Sequence, residues 1–153
     1  MSPIVYSALV LVHILSMAVW FGGGFSLAGD VRKTLARGKP HTELLGARMS
    51  RVLSLAQISA VATIASGFGL FFARGGFKSM PPRYHASIAL SLVALGLVFF
   101  GLKPATMQVE RALAAGEGKD LRSLTKRIGM LTGVDHLLKL IIIVLMVFSF
   151  ETL

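Results

Sequence analysis

The 153-residue sequence contains no cysteine, which narrows the chemistry open to it. Without cysteine the chain has no disulfide, no thiolate site for zinc or an iron–sulfur cluster, and no covalently attached c-type haem. Histidine, methionine and carboxylate side chains remain as ligands, so any haem would be b-type. Acidic residues are also scarce, at seven against 16 lysines and arginines, which leaves a formal net charge of +9.

Charged residues are absent from the whole run between Ile4 and Ala28. This run is longer than the roughly 20 apolar residues that cross a bilayer. The chain is 54% hydrophobic with a mean hydropathy of +0.74, whereas soluble domains are about 45–50% apolar. Such a composition is typical of an integral membrane protein. The run lacks a basic segment before it, so we expect it to be retained rather than cleaved as a signal peptide.

Four apolar stretches predict an all-α membrane protein, a four-transmembrane-helix bundle formed by residues 1–153 as a single domain. The predicted helices run from about Pro3 to Gly29, from the candidate N-cap Thr42 to about Ala73, from the Pro81-Pro82 pair to near Gly116 with a kink at Pro104, and, after the candidate N-cap Asp120, across the membrane from about Ile128 to Phe150. Residues 30–41 are expected to form a basic connection between the first two helices.

Lysine and arginine concentrate in the first and third connections, and the second has only Arg74, Lys78 and Arg83. By the positive-inside rule the first and third connections are cytoplasmic and both termini are periplasmic. This arrangement predicts a multi-pass protein of the bacterial inner membrane, in contact with lipid. The basic residues form no long tract, so we expect no nucleic-acid partner. Small-residue stripes such as Gly22, Ser26 and Gly29 predict close helix packing and are compatible with a homo-oligomer.

His13 is the most unusual residue of the first helix, because an ionisable side chain inside a membrane span is costly and usually functional. Trp20 follows seven residues later, about two helical turns, and shares its face. Ser16 is close enough on the helix to accept a hydrogen bond from the imidazole. This face therefore carries the polar chemistry of the segment.

The fourth helix carries Asp135, His136 and Lys139 within its apolar run. Asp135 and Lys139 are four residues apart and can pair, which lowers the cost of burying either charge. We therefore expect both side chains to face the interior of the bundle. They are also the available acid and base for catalysis.

Haem b suits these residues. His13, His85 and His136 are the candidate metal ligands, and the sequence leaves open whether His13 pairs with His85 or with His136. Trp20 and Tyr84 are expected to pack against the porphyrin, with Arg83 and Lys78 near its propionates. Two alternatives stand beside this one. Imidazole with the thioethers of Met17 and Met80 would suit copper transport, and histidines that only bond across helices would make the chain a structural subunit without a cofactor.

The first helix, with His13, Trp20 and the sequence Trp20-Phe21-Gly22-Gly23, resembles that of HemJ-type protoporphyrinogen oxidases and related CopD-like small membrane proteins. Tyr84-His85, followed by a long apolar run, resembles their third helix. This chain differs from the HemJ pattern at Ser87, where that pattern has lysine, and at Thr132-Gly133-Val134-Asp135, where it has Asn-Glu-x-Pro.

The resemblance implies haem b bound through His13. It also implies an oxidoreductase of the protoporphyrinogen oxidase type, with electrons passed onward. We therefore expect electron transfer or oxidation in the membrane, with a quinone or a porphyrin as partner.

Overall fold

The computed structural model describes residues 1–115 and 121–148, and these residues form helices and short connections without a strand. The α-helices are α1 (Pro3–Gly23), α2 (Leu27–Arg37), α3 (Leu45–Ala73), α4 (Pro82–Gly96), α5 (Lys103–Ala115) and α6 (Leu121–Val147). Two 3-10 turns, His41–Leu44 and Gly76–Lys78, precede α3 and α4, and a π-helical segment, Leu97–Leu102, joins α4 to α5. The all-α prediction is therefore confirmed.

Four helical segments are long and apolar enough to cross a membrane. They are Pro3–Arg37, His41–Ala73, Pro82–Ala115 and Leu121–Val147, in agreement with the four predicted spans. The predicted N-cap Thr42 lies inside the first 3-10 turn instead of starting the helix. The predicted N-cap Asp120 and the predicted end of the fourth helix at Phe150 lie outside the described residues.

The first span is broken, contrary to the prediction of one helix to Gly29. Helix α1 ends at Gly23, and a turn over residues 24–26 separates it from α2. Three consecutive glycines lower the helix propensity at this point, each by about 1 kcal/mol relative to alanine. The predicted small-residue stripe does not make a close helix contact, since a Cβ at Gly22 or Gly29 would find no atom within 4 Å.

The predicted connection over residues 30–41 is helical for most of its length. Helix α2 buries Leu27, Val31 and Thr34, a spacing that places them on one face. Asp30 forms an ion pair with Arg48 of α3, with Arg48 Nε 3.2 Å from Asp30 Oδ2, and the Arg48 guanidinium donates to Thr34 at 2.7 Å. The basic residues of α2 lie on its exposed face, so α2 is an amphipathic helix.

The third span contains a π-helical segment just before Pro104. Proline has no N–H, and its ring clashes with the carbonyl four residues earlier in a regular α-helix. The wider turn gives that carbonyl room and lets the helix continue through Lys103 to Ala115. The kink predicted at Pro104 is therefore a π-helical turn on its N-terminal side.

Most of the apolar core lies at the end of the bundle that carries the first and third connections, which we call the basic end. Leu45, Met49, Val98, Val109 and Ile128 are fully or almost fully buried there. A smaller cluster around Trp20 fills the middle of the bundle. At the opposite end Arg74 donates to the Tyr6 hydroxyl at 2.8 Å, which joins α3 to α1.

Candidate functional site

Lys139 is buried in the middle of the bundle and is held by groups from two helices. Its ammonium nitrogen lies 2.6 Å from Asp135 Oδ2 on α6 and donates to the Trp20 carbonyl of α1 at 2.9 Å. It also lies 5.0 Å from the centre of the Trp20 ring, within the range of a cation–π contact. Asp135, Lys139 and Trp20 are at most 2% exposed. The predicted inward-facing Asp135–Lys139 pair is confirmed.

The break in the first span explains why the Trp20 carbonyl accepts from a side chain. In a continuous helix it would accept from the N–H of Gly24. The Gly24 N–H donates instead to the Gly22 carbonyl, so Trp20 belongs to the last turn of α1, where carbonyls lack helical partners. A cation at this position also interacts favourably with the negative end of the helix dipole. Lys139 therefore caps the C-terminus of α1.

Several buried polar atoms near the capped end of α1 make no hydrogen bond in the described structure. Four buried polar atoms in this region have no hydrogen-bond partner among the described residues: Trp20 Nε1, Thr132 Oγ1, Asp135 Oδ1 and His136 Nε2. A buried polar atom without a partner costs about 1–3 kcal/mol, and more in a membrane. Such groups are rare in folded proteins, so these four atoms are candidates for contacts with a ligand. We call these four residues and Lys139 the junction site, because they lie where α6 meets the end of α1.

His136 is oriented by its own helix. Its Nδ1 lies 2.8 Å from the Thr132 carbonyl, which can only accept, so Nδ1 carries the hydrogen. In the neutral ring Nε2 then has the free lone pair, and this is the buried, unpartnered atom. Phe25, in the turn after α1, packs on the ring with 4.4 Å between ring centres. A Cβ at Gly24 would lie 3.1 Å from the imidazole Cε1, so only glycine leaves this approach free.

His13 lies in the contact between α1 and α3. Its Nδ1 donates to the Thr63 carbonyl at 2.9 Å and lies 3.2 Å from the Ser66 hydroxyl. The prediction that Ser16 accepts a hydrogen bond from the His13 imidazole is wrong. The Ser16 hydroxyl instead donates to the Val12 carbonyl at 2.7 Å and accepts from Thr63 at 3.0 Å. A Cβ at Gly67 would lie 3.0 Å from the imidazole Cε1. His13 is thus closely packed against α3.

The structure does not bring His13 and His136 together. His136 lies beside Gly24, which is eleven residues beyond His13, a separation of about 16 Å along the first span. His85 is stacked on Phe77, with 5.4 Å between ring centres, and lies beside Phe71 of α3 at 5.7 Å. In the part of the chain that the structure describes, no three His, Asp or Glu side chains are grouped as metal ligands.

Two further predicted site residues, Arg83 and Tyr84, lie in the first turn of α4 beside His85. The Tyr84 hydroxyl is buried and has no hydrogen-bond partner among the described residues, while the Tyr84 carbonyl accepts from Ser87 at 2.9 Å. Trp20, predicted to face a porphyrin together with Tyr84, is fully buried against Lys139. The predicted residues therefore divide between the junction site, the His13 contact and the region of His85.

A cleft of about 310 Å³ opens between α2 and α6, toward the basic end from His136. Gly129, two helical turns before His136 on the same face of α6, lines it opposite Gly29, and a Cβ at either glycine would find no atom within 4 Å. The other lining residues are Ala28, Arg32, Thr125 and Lys126. Among residues 1–115 and 121–148, no carboxylate forms an ion pair with Arg32 or Lys126. The cleft thus combines an apolar floor with two cations that no described carboxylate pairs with.

Sequence reasoning missed two parts of this arrangement. It did not assign Gly24, although the run of three glycines beside Phe25 was a sign of a helix break. It also missed Arg32 and Lys126, which it had counted only as positive charges at the membrane surface. No protein-family model, curated protein or solved structure matches the chain.

Proposed function

We propose that this membrane protein binds haem b at the junction site and acts in electron transfer or oxidation within the membrane. The observation that carries the proposal is the His136 imidazole, whose Nδ1 donates to a carbonyl and whose Nε2 is buried without a partner among the described residues. Histidines that bind metals almost always donate their other ring N–H to a carbonyl or carboxylate in this way. The donor set therefore fits an axial haem ligand.

The cleft between α2 and α6 supports the same proposal. Its volume of about 310 Å³ is at the lower end of the range of roughly 300–1,000 Å³ for ligand pockets, and Gly129 in its lining lies two helical turns before His136 on the same face of α6. His136 would hold the iron, the glycine floor would accept a flat apolar ring, and Arg32 and Lys126 would pair with the propionates. When bound, haem b supplies a one-electron redox couple.

The junction site also bears on the choice between an electron carrier and an enzyme. Porphyrinogen oxidation, which the resemblance to HemJ-type proteins implies, needs a group that accepts protons beside the ring. Asp135 Oδ1 is buried, has no partner in the described structure and is adjacent in sequence to His136. We propose Asp135 as the proton acceptor and Lys139 as the residue that holds its carboxylate in place. A carrier would need neither group to exchange protons.

The orientation and location follow from the basic residues. We propose a bacterial inner-membrane protein with its basic end in the cytoplasm and both termini in the periplasm. A periplasm-active reporter fused to the C-terminus should be active, and a cytoplasm-active one silent. The reverse pattern would overturn the orientation.

A visible absorption spectrum tests haem binding directly. Full-length protein purified from cells supplied with haem should show a Soret band. His136→Ala should abolish it, and added imidazole should restore part of it by filling the vacated position. His136→Met, which keeps a possible ligand, should shift the band. Replacing Arg32 and Lys126 together with glutamine should lower the haem content severalfold.

His41→Ala is the matched control, because His41 lies exposed in the turn before α3 and should not affect the spectrum. His13→Ala separates the two intramembrane histidines. If His13→Ala abolishes the band and His136→Ala retains it, the haem lies at the α1–α3 contact, as the family resemblance implies. Wild-type protein without a Soret band would overturn haem binding, and stoichiometric copper in its place would favour transport.

A further inference from the structure

We propose that a second cleft, between α3 and α5 at the basic end, binds the headgroup of a quinone. The cleft encloses about 190 Å³. One wall is formed by α3 through Ser54 and Gln57, and the other by α5 through Lys103, Thr106 and Met107. The proposal rests on the proposed function, because a quinone is a membrane-soluble partner that exchanges electrons with a haem.

Gln57 supplies the first reason for a ligand. Its amide nitrogen Nε2 is buried and has no hydrogen-bond partner among the described residues. Gln57 lies six residues, about 9 Å, further into the span than Arg51, where little water is available to accept the bond. The hydroxyls nearby on the same helix avoid this cost, as Ser59 does by donating to the Leu55 carbonyl at 2.7 Å. Gln57 therefore needs an acceptor oxygen that the described residues do not supply.

Lys103 supplies a second donor from the opposite wall. It directly follows the π-helical segment, a feature that is often found at functional sites. Its side chain is exposed, so the ammonium group can turn toward a ligand in the cleft. Thr106 is not a spare donor, because its hydroxyl donates to the Lys103 carbonyl at 2.9 Å. Two donors on facing walls suit a ligand with two acceptor oxygens.

The remaining lining mixes apolar side chains, Leu53 and Met107, with the hydroxyls of Ser50 and Ser54, which suits a neutral ligand that has both a ring and polar groups. Met107 presents a thioether that packs readily against flat rings. Glu110, which lines the same cleft, would repel the phosphate of an anionic lipid. A quinone has two carbonyl acceptors on an apolar ring, carries no charge and reaches the cleft from the bilayer. Its chemistry therefore matches this cleft better than that of a phospholipid headgroup.

Photolabelling tests the proposal. Full-length protein in lipid nanodiscs is illuminated with a short-chain azidoquinone, and the labelled peptides are identified by mass spectrometry. Label should appear on α3 or α5 beside the cleft, and excess unlabelled quinone should remove it. Gln57→Leu should reduce labelling about tenfold, the loss expected for one hydrogen bond to a buried group. Lys103→Met, at an exposed position, provides a second variant if Gln57→Leu fails to insert.

Gln108→Leu is the matched control, because Gln108 lies exposed on α5 and outside the cleft lining; its labelling should equal that of the wild type. Label elsewhere, label that unlabelled quinone does not displace, or label displaced by anionic phospholipid would overturn the proposal. The haem spectrum is read on the same samples. A Soret band without labelling rejects the quinone cleft alone, whereas specific labelling without a Soret band supports the cleft and rejects the haem.

Discussion

Two histidines in this bundle make the same hydrogen bond in opposite surroundings. Both His13 and His136 donate Nδ1–H to a threonine carbonyl. The carbonyl of His13 belongs to another helix, Thr63 on α3, so the bond joins two helices. The carbonyl of His136 belongs to its own helix, so the bond only orients the ring. The location of the accepting carbonyl thus distinguishes the two residues. His13 holds two helices together, whereas His136 keeps Nε2 buried without a partner among the described residues.

The polar groups around the two residues follow the same division. Near His13 the hydroxyls of Ser16, Thr63 and Ser66 all donate to acceptors within the bundle. Near His136 the buried atoms Trp20 Nε1, Thr132 Oγ1 and Asp135 Oδ1 have no partner in the described structure. We therefore expect changes near His13 to alter mainly stability and changes at the unpartnered residues of the junction site to alter mainly ligand binding. Lys139 is the paired member of that site, so its loss should alter stability. Four predictions test this difference.

The largest effect should come from Lys139→Met. The change leaves the buried Asp135 carboxylate without its cation and the end of α1 without its cap. Loss of one partner of a buried ion pair costs about 3–5 kcal/mol, which should appear in the free energy of unfolding measured in detergent or bicelles. Lys33→Met, at an exposed position, should change it by less than about 0.5 kcal/mol. The double variant Asp135→Leu/Lys139→Met should lose less than the sum of the single changes; strict additivity would contradict the pairing.

The second effect compares the histidines themselves. His13→Ala removes a bond between helices and a packed ring, so it should lower the free energy of unfolding by about 1–2 kcal/mol. His136→Ala removes a bond within one helix and should cost under about 1 kcal/mol in haem-free protein. Equal losses for both variants would erase the distinction between them.

The third effect concerns the glycines that face each ring. Gly67→Ala places a methyl group 3.0 Å from His13 Cε1, and Gly24→Ala places one 3.1 Å from His136 Cε1. We expect Gly67→Ala to lower stability by about 1 kcal/mol with an unchanged spectrum. Gly24→Ala should instead shift the Soret band or lower the haem content. Gly133→Ala, with nothing within 4 Å of the new methyl group, is the control; the opposite assignment of effects to Gly24 and Gly67 would contradict the comparison.

The smallest effect should follow Thr63→Val. This change keeps the carbonyl that accepts from His13 but removes the hydroxyl contact with Ser16, 3.0 Å away on α1. Hydrogen bonds between membrane helices are worth about 0.6 kcal/mol on average, and we expect a loss of that size. Thr125→Val is the control, since its hydroxyl donates only to the Leu121 carbonyl of its own helix. A loss equal in both variants would show that the Ser16 contact contributes nothing.

The sequence predicted the spans well because hydrophobic length and charge are local properties. The Asp135–Lys139 pair was also predictable, since residues four apart on a helix are neighbours. The break after Gly23 was not predicted, because propensity alone does not say whether tertiary contacts keep a glycine-rich segment helical. Here the Lys139 ammonium group replaces the lost helical partner of the Trp20 carbonyl, a contact between residues 119 positions apart.

The environments of the histidines could not be predicted for a related reason. Sequence places His13 and His136 at helix positions, but the neighbours of each ring come from other helices. The rise per residue gives only depth, and tilt changes it by several ångströms. The packing of the helices brings Thr63 and Gly67 against His13, and Gly24 against His136. None of these contacts follows from the sequence. The cleft between α2 and α6 could not be predicted either, because the sequence predicts a connection over residues 30–41, where the structure has most of α2.

The bond between Lys139 and the Trp20 carbonyl has a consequence for assembly in the membrane. The first span is synthesised before the last, so the Trp20 carbonyl has no Lys139 from which to accept when α1 enters the bilayer. That carbonyl stays uncapped until α6 has been inserted and docked beside it. The last span therefore completes the first, and a nascent chain halted after α5 holds its first helix without the contact that fixes the end of α1.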